Sequence, residues 1–334
     1  MIRASIIVPA YNAERFVATT VASALAQTEQ RIEVLVVDDA STDGTAEAVY
    51  RAAAGDKRVH LLRLNINSGP AAARNFALSQ AVGEWIALLD ADDTFATHRI
   101  ARLTQLGDAC QADMVSDNLL LCPEAQELPP RPMLPASVSA SPWRMSAAEF
   151  VAGNIGRRRQ PRTSYGFMQP LFHREFLVRH RLRYKDQSRF GEDFLFYLDC
   201  LLAGASWWVT SEPMYRYAVR SGSLTEIQRA ADLNRIRMIE QRLLQTDPSV
   251  AADARLADAL RRHKTVIDRC YYYRAFTDAI KSGRRSAAMS LLFESPKSFA
   301  HILCEGAAQA PTIMRKAFRG GYRATASRRL TIPP

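Results

Sequence analysis

The sequence predicts an α/β fold, a mostly parallel central sheet with helices on both faces, followed by a helical C-terminal region. Three observations carry this: short apolar runs rich in Val, Ile and Leu, helical periodicity between them, and few strand signals after about residue 226. Ile6–Val8 is the first run. Val17, Val21 and Leu25 follow at four-residue spacing, one face of a helix. Val34–Val37 is the next strand, and a helix starts near Asp43. Val59–Leu64 precedes a helix starting at Pro70, where proline suits the first helical position. Trp85–Leu89 and Met114–Val115 complete the set. Pro123 to Pro142 holds six prolines and reads as a loop. Mixed structure returns over 143–225, with apolar segments at Phe167–Phe172 and Trp207–Val209. From 226 onward Ala, Arg and Leu dominate a helical pattern.

The chain has 334 residues and is 48% hydrophobic, enough to bury a core. No run of about 18 apolar residues predicts a membrane span. The N-terminus enters a strand at Ser5-Ile6-Ile7-Val8 without the apolar stretch of a signal peptide. Cys110, Cys122, Cys200, Cys270 and Cys304 are odd in number and scattered, so free thiols in a reducing compartment are expected. The net charge of +10 is uneven. From Arg255 to the end stand 16 Lys+Arg against 5 Asp+Glu, or +11; the rest holds 28 against 29, or −1. Such a tail suits an anionic surface, lipid headgroups or nucleic acid, or is simply a solvated helical face.

The acids are placed informatively. Val34–Val37 ends in Asp38-Asp39, and Trp85–Leu89 ends in Asp90-Ala91-Asp92-Asp93. Both groups leave the same edge of the sheet, where ligands bind in such folds. One pair alone would read as a turn or helix cap. Two pairs at one edge need a cation or ligand hydroxyls to satisfy them, and oxygen donors suit Mg²⁺ or Mn²⁺. Tyr11 ends the first strand and is able to stack on a base; Asn12 reads equally as a cap. Gly69-Pro70 opens a helix whose free N–H groups favour an anion, with Arg74 one turn in. GxGxxG and GxxxxGK[ST] are both absent, which argues against dinucleotide and P-loop chemistry. Glu192-Asp193 opens a further helix, where acids in the first turn are ordinary caps.

Four segments together resemble family 2 glycosyltransferases, in order and spacing: Ile7-Val8-Pro9-Ala10-Tyr11-Asn12-Ala13-Glu14, Val36-Val37-Asp38-Asp39-Ala40-Ser41-Thr42-Asp43-Gly44-Thr45, Asn67-Ser68-Gly69-Pro70-Ala71-Ala72-Ala73-Arg74-Asn75 and Leu89-Asp90-Ala91-Asp92-Asp93. Phe190-Gly191-Glu192-Asp193 resembles the family's later acidic segment. The resemblance implies a GT-A domain over 1–225, with a nucleotide-sugar half at 1–120 and an acceptor half at 121–225. A basic helical region at 226–334 lies outside the common core. It implies that Pro9, Tyr11, Glu14 and Asp39 line the base and ribose pocket. Asp90 holds the ribose or a metal-bound water, Asp92 ligates Mn²⁺ or Mg²⁺, and Asp193 is the catalytic base of an inverting transfer. Gly69, Arg74 and Arg220 are expected beside the donor's diphosphate; Arg216, in the probable strand Tyr215-Arg216-Tyr217, reads also as solvent-facing.

Ser116-Asp117-Asn118, Gly153-Asn154-Ile155, Gly166–Leu171 and Arg220–Leu224 are similar to the succinoglycan side-chain type of exopolysaccharide transferase. That likeness implies UDP-glucose as donor and a lipid-linked oligosaccharide as acceptor, with lipopolysaccharide or capsule assembly on another sugar as the alternative. The expected setting is the cytoplasm, at the inner face of the membrane, with no nucleic-acid partner. Ile313–Arg319 mixes cations with apolar residues as interfacial helices do. A sugar nucleotidyltransferase is disfavoured because Pro9-Ala10-Tyr11-Asn12 lacks a Gly/Arg-rich loop. A polyanion-binding protein is the non-enzymatic alternative.

Overall fold

In a computed structural model, the structure describes residues 1–124, 129–134, 142–155, 164–185, 190–220, 229–294, 297–304 and 306. Two units divide the chain: Met1–Ile227 with Leu243–His263, and Gln228–Arg242 with Lys264–Pro334.

The first unit opens with β1 (Ala4–Ala10), α1 (Val17–Leu25), β2 (Ile32–Asp38), α2 (Thr45–Ala53), β3 (Val59–Arg63), α3 (Pro70–Gln80) and β4 (Trp85–Leu88). It continues with β5 (Thr94–Phe95), α4 (Arg99–Cys110), β6 (Met114–Pro123), β7 (Arg131–Pro132), β8 (Trp143–Met145) and α5 (Ala147–Gly153). Then come β9 (Leu171–His173), α6 (Arg174–Arg179), α7 (Glu192–Leu202) and β10 (Trp207–Val219). One sheet runs β3-β2-β1-β4-β9-β6-β10-β5, with β7 on β6 and β8 on β10.

The β3-β2-β1-β4 half is parallel, as its apolar runs predict. Every residue of β2 and β4 is buried, which explains why these strands do not alternate. The other half is mixed. β9 runs against both β4 and β6, while β10 lies parallel to β6. Strands of two or three residues such as β5, β7, β8 and β9 are too short to show a period.

The proline-rich segment is more than a surface loop. Arg131–Pro132 pairs with β6, where a proline is tolerated at an edge. Met133 and Leu134 are buried, and the Asn118 amide both donates to the Leu134 carbonyl and accepts from its N–H. Trp207 is buried with its Nε1–H donating to Ser116, while Trp208 is half-buried, so the tryptophan pair belongs to strand packing. The five cysteines are free thiols.

Helices follow: α8 (Ala230–Thr246), α9 (Pro248–Ala252), α10 (Ala254–Lys281) and α11 (Arg285–Phe293). The unit boundary cuts through them, since Leu243–His263 belongs with the sheet. Among the described residues no helix is long and apolar enough to cross a membrane. Arg157-Arg158-Arg159, Ser221–Leu224 and Ile313–Arg319 lie outside the described residues.

Candidate functional site

The parallel pairing decides where the acids emerge. β1 lies between β2 and β4, with Ala10 opposite Asp38 and Ile7 opposite Leu88. Asp39 N–H continues this pattern onto the Ala10 carbonyl at 2.8 Å, and Leu89 N–H onto Ile7 at 3.0 Å. Asp38-Asp39 and Asp90–Asp93 therefore flank the end of β1.

The loops here are tied down by the residues that the sequence singles out. Asn12 and Ala40 adopt left-handed φ of 49° and 57°, a costly conformation for residues other than glycine. Asn12 Oδ1 accepts from Thr42 N–H at 2.8 Å, and Asp38 Oδ1 accepts from Ser41 N–H at 2.9 Å. Glu14 Oε2 accepts from Gly44 N–H at 3.1 Å, at the start of α2. Pro9 is half-buried in β1, and Tyr11 beyond it is 50% exposed, its ring open to a ligand.

Asp39 is buried, and its two oxygens accept from Ser68 N–H and Gly69 N–H, each at 2.7 Å. Gly69 has φ 89°, the left-handed region that glycine enters freely, and Pro70 opens α3. The anion expected at this helix start is met, at those two groups, by the protein's own carboxylate.

Arg74, one turn into α3, is placed differently from expectation. Its side chain is 4% exposed, and one guanidinium reaches three acids: Asp90 at 2.9 Å, Glu192 at 3.2 Å and Asp193 at 3.2 Å. It also lies over the Tyr184 ring at 5.3 Å. So enclosed, it organises carboxylates instead of standing open to a phosphate. Burial pushes its pKa down, yet Asp193, Asp90, Tyr184 and Glu192 together hold it well above the ordinary value.

Asp193 opens α7, behind Gly191 in the left-handed region. Its side chain keeps 19% exposure. Burial raises its pKa first, Arg74 opposes, and Glu192 and Asp90 add to the rise, so the carboxyl is pushed up to about 7. Its Oδ1 contacts Arg74 but is left without a hydrogen bond.

Asp90 is held from a second side. The Gln169 amide donates to Asp90 Oδ2 at 3.3 Å, accepts from Tyr197 O–H at 3.2 Å, and is itself buried. The Gln169 carbonyl accepts from Arg99, which is locked in a buried pair with Asp117. The sequence signals Gln169 only as part of the Gly166–Leu171 segment. Nothing local marks its partner, 79 residues away.

Asp92 is 31% exposed and pairs with Arg220, whose guanidinium also lies over the Phe16 ring at 3.8 Å. Its neighbour Asp93 is buried. Tyr215 O–H and Ala218 N–H each donate to it at 2.7 Å, and burial followed by Asp90 raises its pKa well above the carboxylate range. Arg216, between these two β10 residues, is exposed.

The donor set fits one kind of metal site. Among the described residues no three His, Cys, Asp or Glu stand ready as a metal cage. A cationic group does sit on Asp92, in the form of Arg220, so this carboxylate is aimed at a positive charge. That suits an ion held by one or two carboxylates, with its other ligands from water and substrate phosphates. Such an ion would find its carboxylates in Asp92 and Asp90.

The Arg74 guanidinium thus gathers Asp90, Glu192 and Asp193, and Tyr11 follows the end of β1, which Asp38-Asp39 and Asp90–Asp93 flank. The Glycosyl transferase family 2 model matches residues 5–182 of this chain. The succinoglycan biosynthesis protein ExoU of Rhizobium meliloti (strain 1021) is 37% identical over 277 residues, 82% of this chain and 78% of that protein. Among solved structures, the chain is similar to S. aureus TarS 1–349 in complex with UDP-GlcNAc, with TM-score 0.67 and 20% identity, covering 92% of each chain. It is also similar to the mannosyltransferase PcManGT from Pyrobaculum calidifontis in complex with GDP-Man and Mn²⁺. There the TM-score is 0.55 at 20% identity, over 97% of this chain and 83% of that one. These likenesses show the fold, which is GT-A.

Proposed function

The chain belongs to glycosyl transferase family 2, and on that premise we propose that it is an inverting, metal-dependent transferase. In this reading it moves glucose from UDP-glucose to a lipid-linked oligosaccharide during bacterial exopolysaccharide assembly, in the cytoplasm beside the membrane. The observation that carries the mechanism is the single Arg74 guanidinium reaching both Asp90 and Asp193. In this reading Asp90 is the donor-side acid and Asp193 the base, and one cation links them. Similarity to ExoU supports the exopolysaccharide role, and the UDP-GlcNAc and GDP-Man bound by similar structures support a nucleotide-sugar donor.

Inversion needs one in-line displacement. The acceptor oxygen bonds to the anomeric carbon as the bond to the diphosphate breaks, and the electron pair leaves with the nucleoside diphosphate. Asp193 Oδ takes the acceptor's proton, and a base near pH 7 is well matched to this. Tyr11 stacks on the base of the donor, while Pro9, Glu14 and Asp39 shape the pocket around it. Gln169 and Arg74 fix Asp90 from either side. Asp92 and Asp90 would hold a Mn²⁺ or Mg²⁺, which would supply Lewis-acid stabilisation of the leaving diphosphate. Arg220, freed from Asp92, meets the same charge as a planar guanidinium.

The test is a screen of UDP-, GDP- and dTDP-sugars for binding and slow hydrolysis, with and without Mn²⁺. UDP-glucose should bind in a metal-dependent way, and Asp92→Ala should remove the metal-dependent part. Equal UDP binding with and without Mn²⁺ would refute the metal assignment. Selection of a GDP- or dTDP-sugar would move the reading to lipopolysaccharide or capsule assembly.

A further inference from the structure

The second unit turns large apolar side chains outward. Tyr272 of α10 donates its O–H to Glu294 at 2.9 Å, just past α11, and its ring stacks on His301 at 6.1 Å and 14°. α11 and the helical residues 297–304 therefore flank the same stretch of α10. Their inner sides are Ala288, Ser298 and Ile302, all buried. Their outer sides hold Met289 (52% exposed), Phe293 (77%), Phe299 (48%) and Leu303 (56%). Spacing of four keeps each pair on one face of its helix. Ile280, at the end of α10, is also exposed. In the first unit the exposed large apolar residues are single and spread from Met1 to Val219, which is ordinary for a protein surface.

Cations neighbour these residues along the chain. Lys281, Arg284, Arg285 and Lys297 are exposed, and Arg285 precedes Met289 by one turn. Over 280–306 the acids are Glu294, which the Tyr272 hydroxyl holds, and Glu305. Beyond them, 307–334 adds six Lys+Arg and no acid to the chain's charge. Cations beside exposed Phe, Leu and Met are the chemistry of a surface that lies in the plane of an anionic bilayer.

We propose that α11 and residues 297–304, with the end of α10, form a membrane-docking face whose partner is an anionic lipid bilayer. Met289, Phe293, Phe299 and Leu303 enter the interface, and Lys281, Arg284, Arg285 and Lys297 pair with lipid phosphates. This stands apart from the transferase reading and needs neither donor nor metal.

The experiment is co-sedimentation of the full chain with phosphatidylcholine vesicles, with and without phosphatidylglycerol, at low and high salt. Binding should require phosphatidylglycerol and weaken with salt. Phe293→Ser with Leu303→Ser, both surface changes, should lower the partition coefficient by about tenfold or more while the melting temperature holds. Arg284→Glu with Arg285→Glu should lower it similarly, on anionic vesicles alone. Failure of the wild-type chain to bind anionic vesicles would overturn the proposal. So would serine variants that bind as well as wild type, or that turn a dimer into a monomer in light scattering without changing vesicle binding. Loss of donor specificity in the transferase assay would leave these results unmoved, so the two readings fail separately.

Discussion

Replacing Asp193 by Asn keeps the shape of the side chain and removes its capacity to take a proton. A positioned general base contributes about 10²- to 10⁴-fold to rate. At 1.36 kcal/mol per decade that is about 2.7–5.4 kcal/mol of barrier. Wild-type transfer should rise through pH 7, with about a tenth of the ceiling rate at pH 6, because the carboxyl titrates at about 7. A second consequence concerns stability. The native carboxyl holds its proton to about 7 against an ordinary value of 3.8. Its contribution is complete below about pH 4 and is lost as pH rises through 7. Three units bound the loss at about 4 kcal/mol. Asn has no charge to desolvate, so the variant should melt above wild type at pH 8, by a gap that narrows towards pH 5. Donor affinity, measured by calorimetry, should stay within about threefold, since the variant retains the contacts of Asp90 and Asp92. The assay is nucleoside diphosphate release on acceptor-bearing membranes across pH 5–9, beside thermal melts at the same pH values. Turnover above a tenth of wild type, or a wild-type rate flat between pH 6 and 8, would refute Asp193 as the base.

Two other perturbations probe the cations and the support of Asp90. Arg220→Gln removes the guanidinium from Asp92, so Mn²⁺ should bind the donor-free protein about fivefold more tightly, the scale of a partly exposed ion pair. Unchanged Mn²⁺ affinity in titration calorimetry would show that Arg220 does not compete for this carboxylate. Gln169→Leu strips the donor from Asp90 Oδ2 and the acceptor from Tyr197. A hydrogen bond to a charged group is worth about 1.5–3 kcal/mol, so kcat/KM for the donor should fall about ten- to hundredfold in a protein that still folds; a change under twofold would remove Gln169 from the site.

The parallel half of the sheet was legible because β1, β2 and β4 each hold a continuous apolar run that ends in a proline or an acid. The acids themselves were legible for the same reason: a strand that stops at Leu88 dictates where Asp90 emerges. α3 was legible to its first residue, since Gly69 and Pro70 are both local signals. What escaped the sequence is pairing over distance. Arg74 meets Asp90 from 16 residues away and Glu192 from 118, and no periodicity encodes that meeting. The anion at the α3 start escaped for a similar reason. Free helix N–H groups attract any negative charge, and a folded Asp39, 2.7 Å away, is already in place. The antiparallel half was hidden by strand length, and the helical unit boundary by α8 and α10 each contributing to both units.

Arg74 and Arg220 are unequal in a way that assigns them different parts. Arg74 is all but enclosed and serves three carboxylates. Withdrawing it would strand those charges in a poorly hydrated place, at a cost of about 3–5 kcal/mol for a broken buried pair. It is therefore a fixed part of the site, and a lysine there could not span the same three acids with a planar fork. Arg220 is 19% exposed, serves one carboxylate that is itself 31% exposed, and rests on the face of Phe16. Burial and the nearby Arg15 lower its pKa from the ordinary value, so its charge is less well supported than that of Arg74. Leaving Asp92 costs it an ion pair worth about 1 kcal/mol or less. Of these two cations Arg74 is permanent and Arg220 is one that a stronger positive charge can replace, with Asp92 as the exchange point; Arg63, on Asp38 at 3.2 Å, adds a third to the edge.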